Sequence, residues 1–452
     1  MGIGGAGMSA IARVLHDRGE VVTGSDQARS PFSESLEGLG VTASYEHKAA
    51  NVEGADVILA SAAIPQDNVE LQRAHDLGIP VLRRDEFWPE LTEGKRTLAV
   101  AGTHGKTTTT GLLAWILDQA GESPGFIVGG ELVDFQVNAR AGDGRFFVVE
   151  ADEYQMAFLG LRPEVAVVTN VELDHPDQFS SQSAMLDAFQ QFVEEVERTV
   201  ILCADDPGAA EMKTAGRHRV TYGLNEDAAW RAEEIRPNGA GGSDFLVLRD
   251  GEMLGLVRTR LPGEHNVRNT LAALAAVDSV GISFAQARQA LTGYHGVLRR
   301  FQVIGEVGGV TVVDDYAHHP TEIKATLRAA RNRFPEATIY AVFQPHTYSR
   351  TLRFLAELAQ AFDGADRVIV TPIYAAREQP DPAIDSRLLA ERIDHPSVSF
   401  TAGLEEAAQM LLEQVEPGAV VITMSAGDGN RVSELLLEGL RKKRGSDNGQ
   451  ET

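Results

Sequence analysis

The 452-residue chain carries 65 Asp and Glu against 41 Lys and Arg, a formal net charge of -24 that repels a polyanion such as nucleic acid over most of its surface. Its 43% hydrophobic content is that of a globular protein, no apolar run is long enough to span a bilayer, and a single cysteine, Cys203, excludes an internal disulfide framework. With neither a basic n-region nor an apolar h-region at its start, the chain is expected to be a cytoplasmic enzyme of about three domains.

The first block opens MGIGGAGMSAIARVL. Its glycine run from Gly2 to Gly7, followed by an apolar helical pattern, has the form of a turn that seats a phosphate on a helix N-terminus, which makes Gly4, Gly5 and Gly7 candidate ligand contacts. Such a turn needs a strand ahead of it, and only Met1 is there. The first strand is therefore read as missing, with the true start upstream of Met1. Strands are predicted at 21–26, 55–64 and 79–85 and helices at 8–18 and 68–77, before LTEGKR (91–96) breaks the pattern as a linker. Asp26, about 20 positions past the turn, leaves a dinucleotide open as its ligand.

The second block begins TLAVAGTHGKTTTTGLLAWILDQAG, a strand, a turn and a helix closed by Gly121. The turn is the expected nucleotide-phosphate site. Gly102, Thr103, His104, Gly105, Lys106, Thr107 and Thr108 lie in it, with backbone N–H groups to cradle phosphate, Lys106 as a point charge and Thr107 as a metal ligand. A strict Walker A spacing would put its first glycine at Val100, so the match is one of context rather than pattern. Strands follow at 146–152, 164–170 and 199–205, and a hairpin turns at RDGE (249–252). Glu150 and His175 each fall just past the end of a buried strand, where they could hold Mg²⁺ or Mn²⁺ beside the phosphates. Taken singly, Glu150 reads equally as a helix cap and His175 as a loop histidine; sharing a block with a phosphate loop favours the metal.

Helices starting near His265 and Ser283 lead to a hinge-like GVLRRF (296–301). The third block has strands GVTVVDD, TIYAVFQ, RVIVTPI and AVVITMS separated by helices, so the fold class is α/β with mostly parallel sheets. The end, RKKRGSDNGQET, lacks apolar periodicity and is expected to be a disordered tail.

GTHGKTTTT, TNVELDH, GEHNVRNTLAA, DDYAHHPTEI and FQPHTYSRT, in this order, resemble the Mur ligases, from Gly2 to about Arg441. The resemblance implies a Rossmann-like UDP-sugar domain over 1–93, a P-loop-type ATPase domain over 94–298, a Rossmann-like C-terminal domain over 299–444 that closes on ATP, and a tail over 445–452. It further implies adenine contacts at Asn266 and Asn269, a hinge arginine at Arg300, and a ribose contact at Asp315 beside His318 and His319. His346 and Arg350 become the groups that approach the acyl-phosphate and the amino acid, with Lys106 the third catalytic residue. The first glycine turn, Ser25, Asp26 and Ser61 then face a UDP diphosphate rather than NAD. EADEYQ, where part of the family has an EADESD-like version, keeps the metal role with Glu150.

The implied reaction is joining of L-alanine to the lactyl carboxylate of UDP-N-acetylmuramate through an acyl-phosphate, with ATP and Mg²⁺ or Mn²⁺ as cofactors and no nucleic-acid or membrane partner. A ligase adding a recycled tripeptide to the same sugar nucleotide, or a non-catalytic nucleotide-sugar switch, remain the alternatives. Residues 1–90 argue against folylpolyglutamate synthase, which lacks a UDP-binding domain.

Overall fold

The computed structural model describes residues 1–176 and 178–448, arranged around two large sheets and two small ones. The site-bearing sheet has ten strands. Their order is Val137–Arg140, Gly125–Leu132, Phe146–Glu150, Arg96–Ala101, Val165–Val168, Thr199–Cys203, His218–Gly223, Trp230–Pro237, Ser243–Arg249 and Glu252–Arg258. The strands from Gly125–Leu132 to Trp230–Pro237 run parallel, and antiparallel strands close both edges.

Arg96–Ala101 is buried on both faces except at its first residue, the consequence of an unbroken apolar run between two helices. Earlier-numbered Arg96–Ala101 lies between Phe146–Glu150 on one side and Val165–Val168 on the other. Chain order thus diverges at its C-terminal end, the kind of switch point where open α/β sheets bind ligands. The helices Lys106–Gln119 and Glu264–Ser279 pack together there. Ser283 caps the next helix, Phe284–Leu291, accepting from the Gln286 N–H in a capping box.

The N-terminal strands are shorter than the sequence suggested. Thr23–Ser25 pairs with Thr42–Ser44, and Ile58–Leu59 pairs with Val81–Leu82, in two separate parallel ribbons. Met1–Ile3 run between them as coil. Gly2 N and Ile3 N donate to Ser25 O at 2.8 and 3.1 Å, and the Met1 amine donates to Leu59 O at 2.6 Å. Three residues therefore span the slot in which a full strand was expected. The predicted 79–85 strand gives way at Arg84 to a helix, Arg84–Leu91, whose start is fixed by Glu86 accepting from the Arg83 N–H.

In the C-terminal sheet, Gln302–Val307 is antiparallel to Val310–Asp315, and Val420–Met424, Ile339–Phe343, Arg367–Val370 and Val398–Phe400 follow in parallel. The expected disordered tail is corrected in part. The last helix, Asn430–Asn448, continues through 445–448, and 449–452 lie outside the described residues. Among the described residues no helix is long and apolar enough to cross a membrane. Cys203 is buried at a strand end, where burial pushes its thiol up to about 11.

Candidate functional site

The phosphate loop is stitched to the segment after Val165–Val168. Thr103 N donates to Asn170 O at 3.0 Å, His104 N to Asn170 Oδ1 at 2.9 Å, and Thr169 Oγ1 to His104 O at 2.6 Å. Gly102 has φ +133° and Gly105 φ +82°, and added Cβ atoms would lie 1.9 Å from Thr169 Oγ1 and 2.5 Å from Asn269 Oδ1. Only glycine lets the chain turn this closely and leave its N–H groups open at the helix start, where Gly105 supplies no side-chain cap. Gly102→Ala is accordingly expected to lower the melting temperature and to remove ATP affinity. An unchanged melt together with unchanged ATP binding by calorimetry would refute the tight-turn argument.

Lys106 Nζ donates to Thr103 O at 3.1 Å and lies 2.8 Å from Glu153 Oε2. Burial alone would depress this amine, but Glu153, Asp152 and Glu150 outweigh it and hold the lysine charged above its ordinary range. Glu153, 1% exposed at its side chain, is a site residue whose role the sequence did not define. Thr107 Oγ1 donates to Glu150 Oε1 at 3.0 Å, and Gly129 N donates to Oε2 at 2.6 Å. These two expected metal ligands are brought together. His175 is not joined to them: its Nε2 faces Glu153 Oε1 at 3.7 Å and Asp174 Oδ2 at 3.9 Å. Among the described residues, the histidine and carboxylate ligand atoms that gather within 4.8 Å are those of His104, Glu172 and His319.

Asn266 and Asn269 are both buried on one face of Glu264–Ser279, with Asn269 Nδ2 donating to Asn266 Oδ1 at 3.2 Å beside Gly105. Asp315 is buried and already accepts from Phe301 N at 2.7 Å and Ala317 N at 2.8 Å, so it fixes the hinge. Arg300 lies over the Tyr316 ring and 3.8 Å from Glu322.

From the C-terminal domain, Arg350 reaches across to the central one. Its Nε and Nη2 donate to Asp174 Oδ1 at 3.0 and 2.9 Å, and Nη1 lies 3.1 Å from His346 Nδ1. Although burial disfavours the Asp174 charge, Arg350 holds that carboxyl far below its usual range. Burial, then Arg350, push His346 down to about 4, which leaves a neutral imidazole stacked on Tyr374. His318 is also neutral, pushed down to about 3 mainly by burial, with its Nδ1 3.0 Å from Tyr316 O. Asp174 was missed in the sequence, where it stands inside TNVELDH one residue before the singled-out His175.

At the first turn, Gly4 N donates to Asp26 Oδ2 at 2.8 Å and Ser30 Oγ to Gly4 O at 2.8 Å. Gly5, the N-cap of Ala6–Asp17, offers no side-chain cap, and Gly7 lies in that helix's first turn, so its leading N–H groups face outward. Ser25 is engaged by Glu70 at 2.6 Å, and Ser61 N donates to Met1 O at 3.1 Å. Arg84 links this domain to the central one through Asp152 at 2.8 Å. Two helix starts without side-chain caps therefore lie in neighbouring domains, and the C-terminal domain brings Arg350 and His346 against the central one.

Models of the Mur ligase family, catalytic domain, the Mur ligase middle domain and the Mur ligase, glutamate ligase domain match residues 1–96, 100–277 and 299–427. The chain belongs to the Mur ligase family. Among its members, the UDP-N-acetylmuramate–L-alanine ligase of Roseiflexus sp. (strain RS-1) is 44% identical over 98% of this chain and 99% of the relative. That of Salinibacter ruber is 44% identical over 99% and 95%. The crystal structure of the Thermotoga maritima UDP-N-acetylmuramate-alanine ligase superposes with a TM-score of 0.84 at 28% identity, covering 98% of each chain. A Mur-family murein peptide ligase from Psychrobacter arcticus gives 0.70 at 28% identity, covering 97% of each.

Proposed function

We propose that this chain is an ATP-dependent ligase that joins L-alanine to the lactyl carboxylate of UDP-N-acetylmuramate, in the cytoplasm, as a step of peptidoglycan precursor synthesis. The observation that carries the reading is the end-to-end match to ligases of that name at 44% identity. The geometry supports it: a phosphate loop at a sheet switch point, faced by Arg350 and His346 of the C-terminal domain.

The carboxylate of the sugar nucleotide attacks the γ-phosphorus of ATP and ADP leaves; the alanine amine then attacks the acyl carbon, and phosphate leaves. Phosphoryl transfer asks the protein mainly for positioning and charge neutralisation. Lys106 supplies a fixed positive charge and the open N–H groups of the loop hold the phosphates. The amine must arrive deprotonated, and His318, its Nδ1 3.0 Å from Tyr316 O and its ring held neutral by burial, is too weak a base to take that proton. Arg350 and His346 form the pocket for the amino-acid end.

A divalent ion fits the hydroxyl and carboxylate pair of Thr107 and Glu150, both hard oxygen donors at the loop, and its chemistry there would be neutralisation of the β- and γ-phosphate charge. His175 would join them only by leaving Glu153. Glu150→Ala is expected to lower kcat at least ~100-fold at ordinary Mg²⁺ and to raise the Mg²⁺ concentration for half-maximal rate. An unaltered Mg²⁺ dependence would remove Glu150 from the metal set.

Isotope transfer tests the reaction type. With ¹⁸O in the lactyl carboxylate, the released inorganic phosphate should carry the label by mass spectrometry. Unlabelled phosphate would exclude an acyl-phosphate and would fit the alternative in which ATP acts only as a conformational switch.

A further inference from the structure

His104 stands in the phosphate loop, yet its ring contacts no open phosphate-facing position. Nε2 lies 3.0 Å from Glu172 Oε2 and Nδ1 lies 3.2 Å from Glu322 Oε1. Glu172 belongs to the central domain and Glu322 to the first turn of Pro320–Arg333 in the C-terminal domain, 218 residues from His104. The ring is nearly buried, with a side-chain exposure of 12%. A second strand of contacts follows the same line: Thr321 Oγ1 donates to Glu172 Oε1 at 2.8 Å, and Glu322 Oε2 accepts from His318 N at 3.1 Å.

We propose that His104 is a positioning residue, an inter-domain pin that clamps the Pro320–Arg333 helix onto the phosphate loop so that closure of the C-terminal domain and ordering of the loop occur together. Both ring nitrogens face carboxylates, and an imidazole can satisfy both only as a double donor. A neutral ring would present one lone pair to one of the two anions. The same helix start carries His319 at its N-cap and follows Asp315 in the chain, so seating it on His104 also seats the ribose-side residues. His319 Nδ1 accepts from Thr321 N at 3.3 Å, which starts the helix that the pin seats.

The titration behaviour agrees with the geometry. Burial opposes the charge, but Glu172 and Glu322 outweigh it and raise His104 to about 9; both carboxyls are in turn held below their ordinary range. The other charged or titratable groups around the pin are His319, whose ring lies 4.7 Å away and is pushed down mainly by burial, and, on Glu322, His318 and Arg300. A raised histidine value means that the clamp is complete below about pH 6.5 and is lost as pH rises through about 9.

Small-angle X-ray scattering of the full, unliganded chain tests this directly. The radius of gyration should increase between about pH 7 and pH 10 in the natural protein. In His104→Gln the radius should no longer change with pH over this range, with Glu322→Gln behaving likewise and circular dichroism confirming that each variant is folded. In steady-state assays, His104→Gln should raise the KM for ATP about ten- to a hundredfold, and His104→Gln with Glu322→Gln together should be no worse than either alone. A radius independent of pH in the natural chain, the same pH profile in His104→Gln, or multiplicative effects of the two substitutions would overturn the pin. The kinetic arm rests on the ligase reading, but the scattering arm does not, so failure of one is distinguishable from failure of the other.

Discussion

Lys106→Ala is expected to lower turnover by about 10³-fold or more, the scale on which a single cation at a transferring phosphoryl group acts. Affinity for UDP-N-acetylmuramate should stay within about twofold, because the helix start proposed to hold it, after Gly5, is in a different domain from the lysine. The substitution has a second consequence that must be separated from the first. Glu153 is 1% exposed at its side chain and loses its cation, and because burial already pushes its carboxyl above the ordinary range it should take up a proton, so the stability loss should fall below the ~3–5 kcal/mol of a buried charge left unpaired. Pairing Lys106→Ala with Glu153→Gln should restore most of the melting temperature and none of the turnover. Recovery of activity in the double variant would mean that the lysine acts structurally.

Arg350→Ala should be nearly as damaging, for a different reason. Asp174 is buried and accepts two charge-assisted hydrogen bonds from one guanidinium, so its loss should cost about 3–5 kcal/mol and loosen the C-terminal domain from the central one. The KM for the amino acid should rise more than that for the sugar nucleotide. Arg350→Lys should not rescue, since an ammonium cannot reproduce Nε and Nη2 on one oxygen while Nη1 meets His346. Because Asp174 sits far below its ordinary value, the stability from this pair is present above about pH 4 and is lost as acid protonates the carboxylate. Equal acid melting profiles for the natural chain and Arg350→Ala would contradict it.

The parts of the site that were legible in the sequence are those written locally. A buried apolar strand, glycines at a sharp turn, then Lys106 and Thr107 at a helix start announce a phosphate loop within a dozen residues, and the strand ends place Glu150 nearby. Periodicity likewise located both helices after His265 and Ser283. It failed at Ile58–Leu59 and Val81–Leu82, where predicted strands of ten and seven residues shrink to two-residue pairings because those ribbons lack the partners that would extend them. It also passed over Gly125–Leu132 and Val398–Phe400, whose identity as strands depends on the neighbours they pair with. The partners of the functional groups were invisible for a related reason. Asp174 for Arg350 and Glu322 for His104 lie 176 and 218 residues apart, and no local pattern records a contact made by domain packing.

FQPHTYSRT carries one cation, Arg350, already paired with Asp174, and Thr347 and Ser349 beside it are neutral with Ser349 bonded to Glu378, so the segment offers no free cation for the extra carboxylates of a longer substrate. The direct measurement is ADP release by the purified full chain with UDP-N-acetylmuramate and ATP, comparing L-alanine, glycine, L-serine and the tripeptide L-Ala-γ-D-Glu-meso-diaminopimelate. L-alanine should give the highest kcat/KM, glycine and L-serine should trail by about 10- to 200-fold, as one methyl or hydroxyl allows, and the tripeptide should give no rate above background. A preference for the tripeptide over L-alanine would contradict the account.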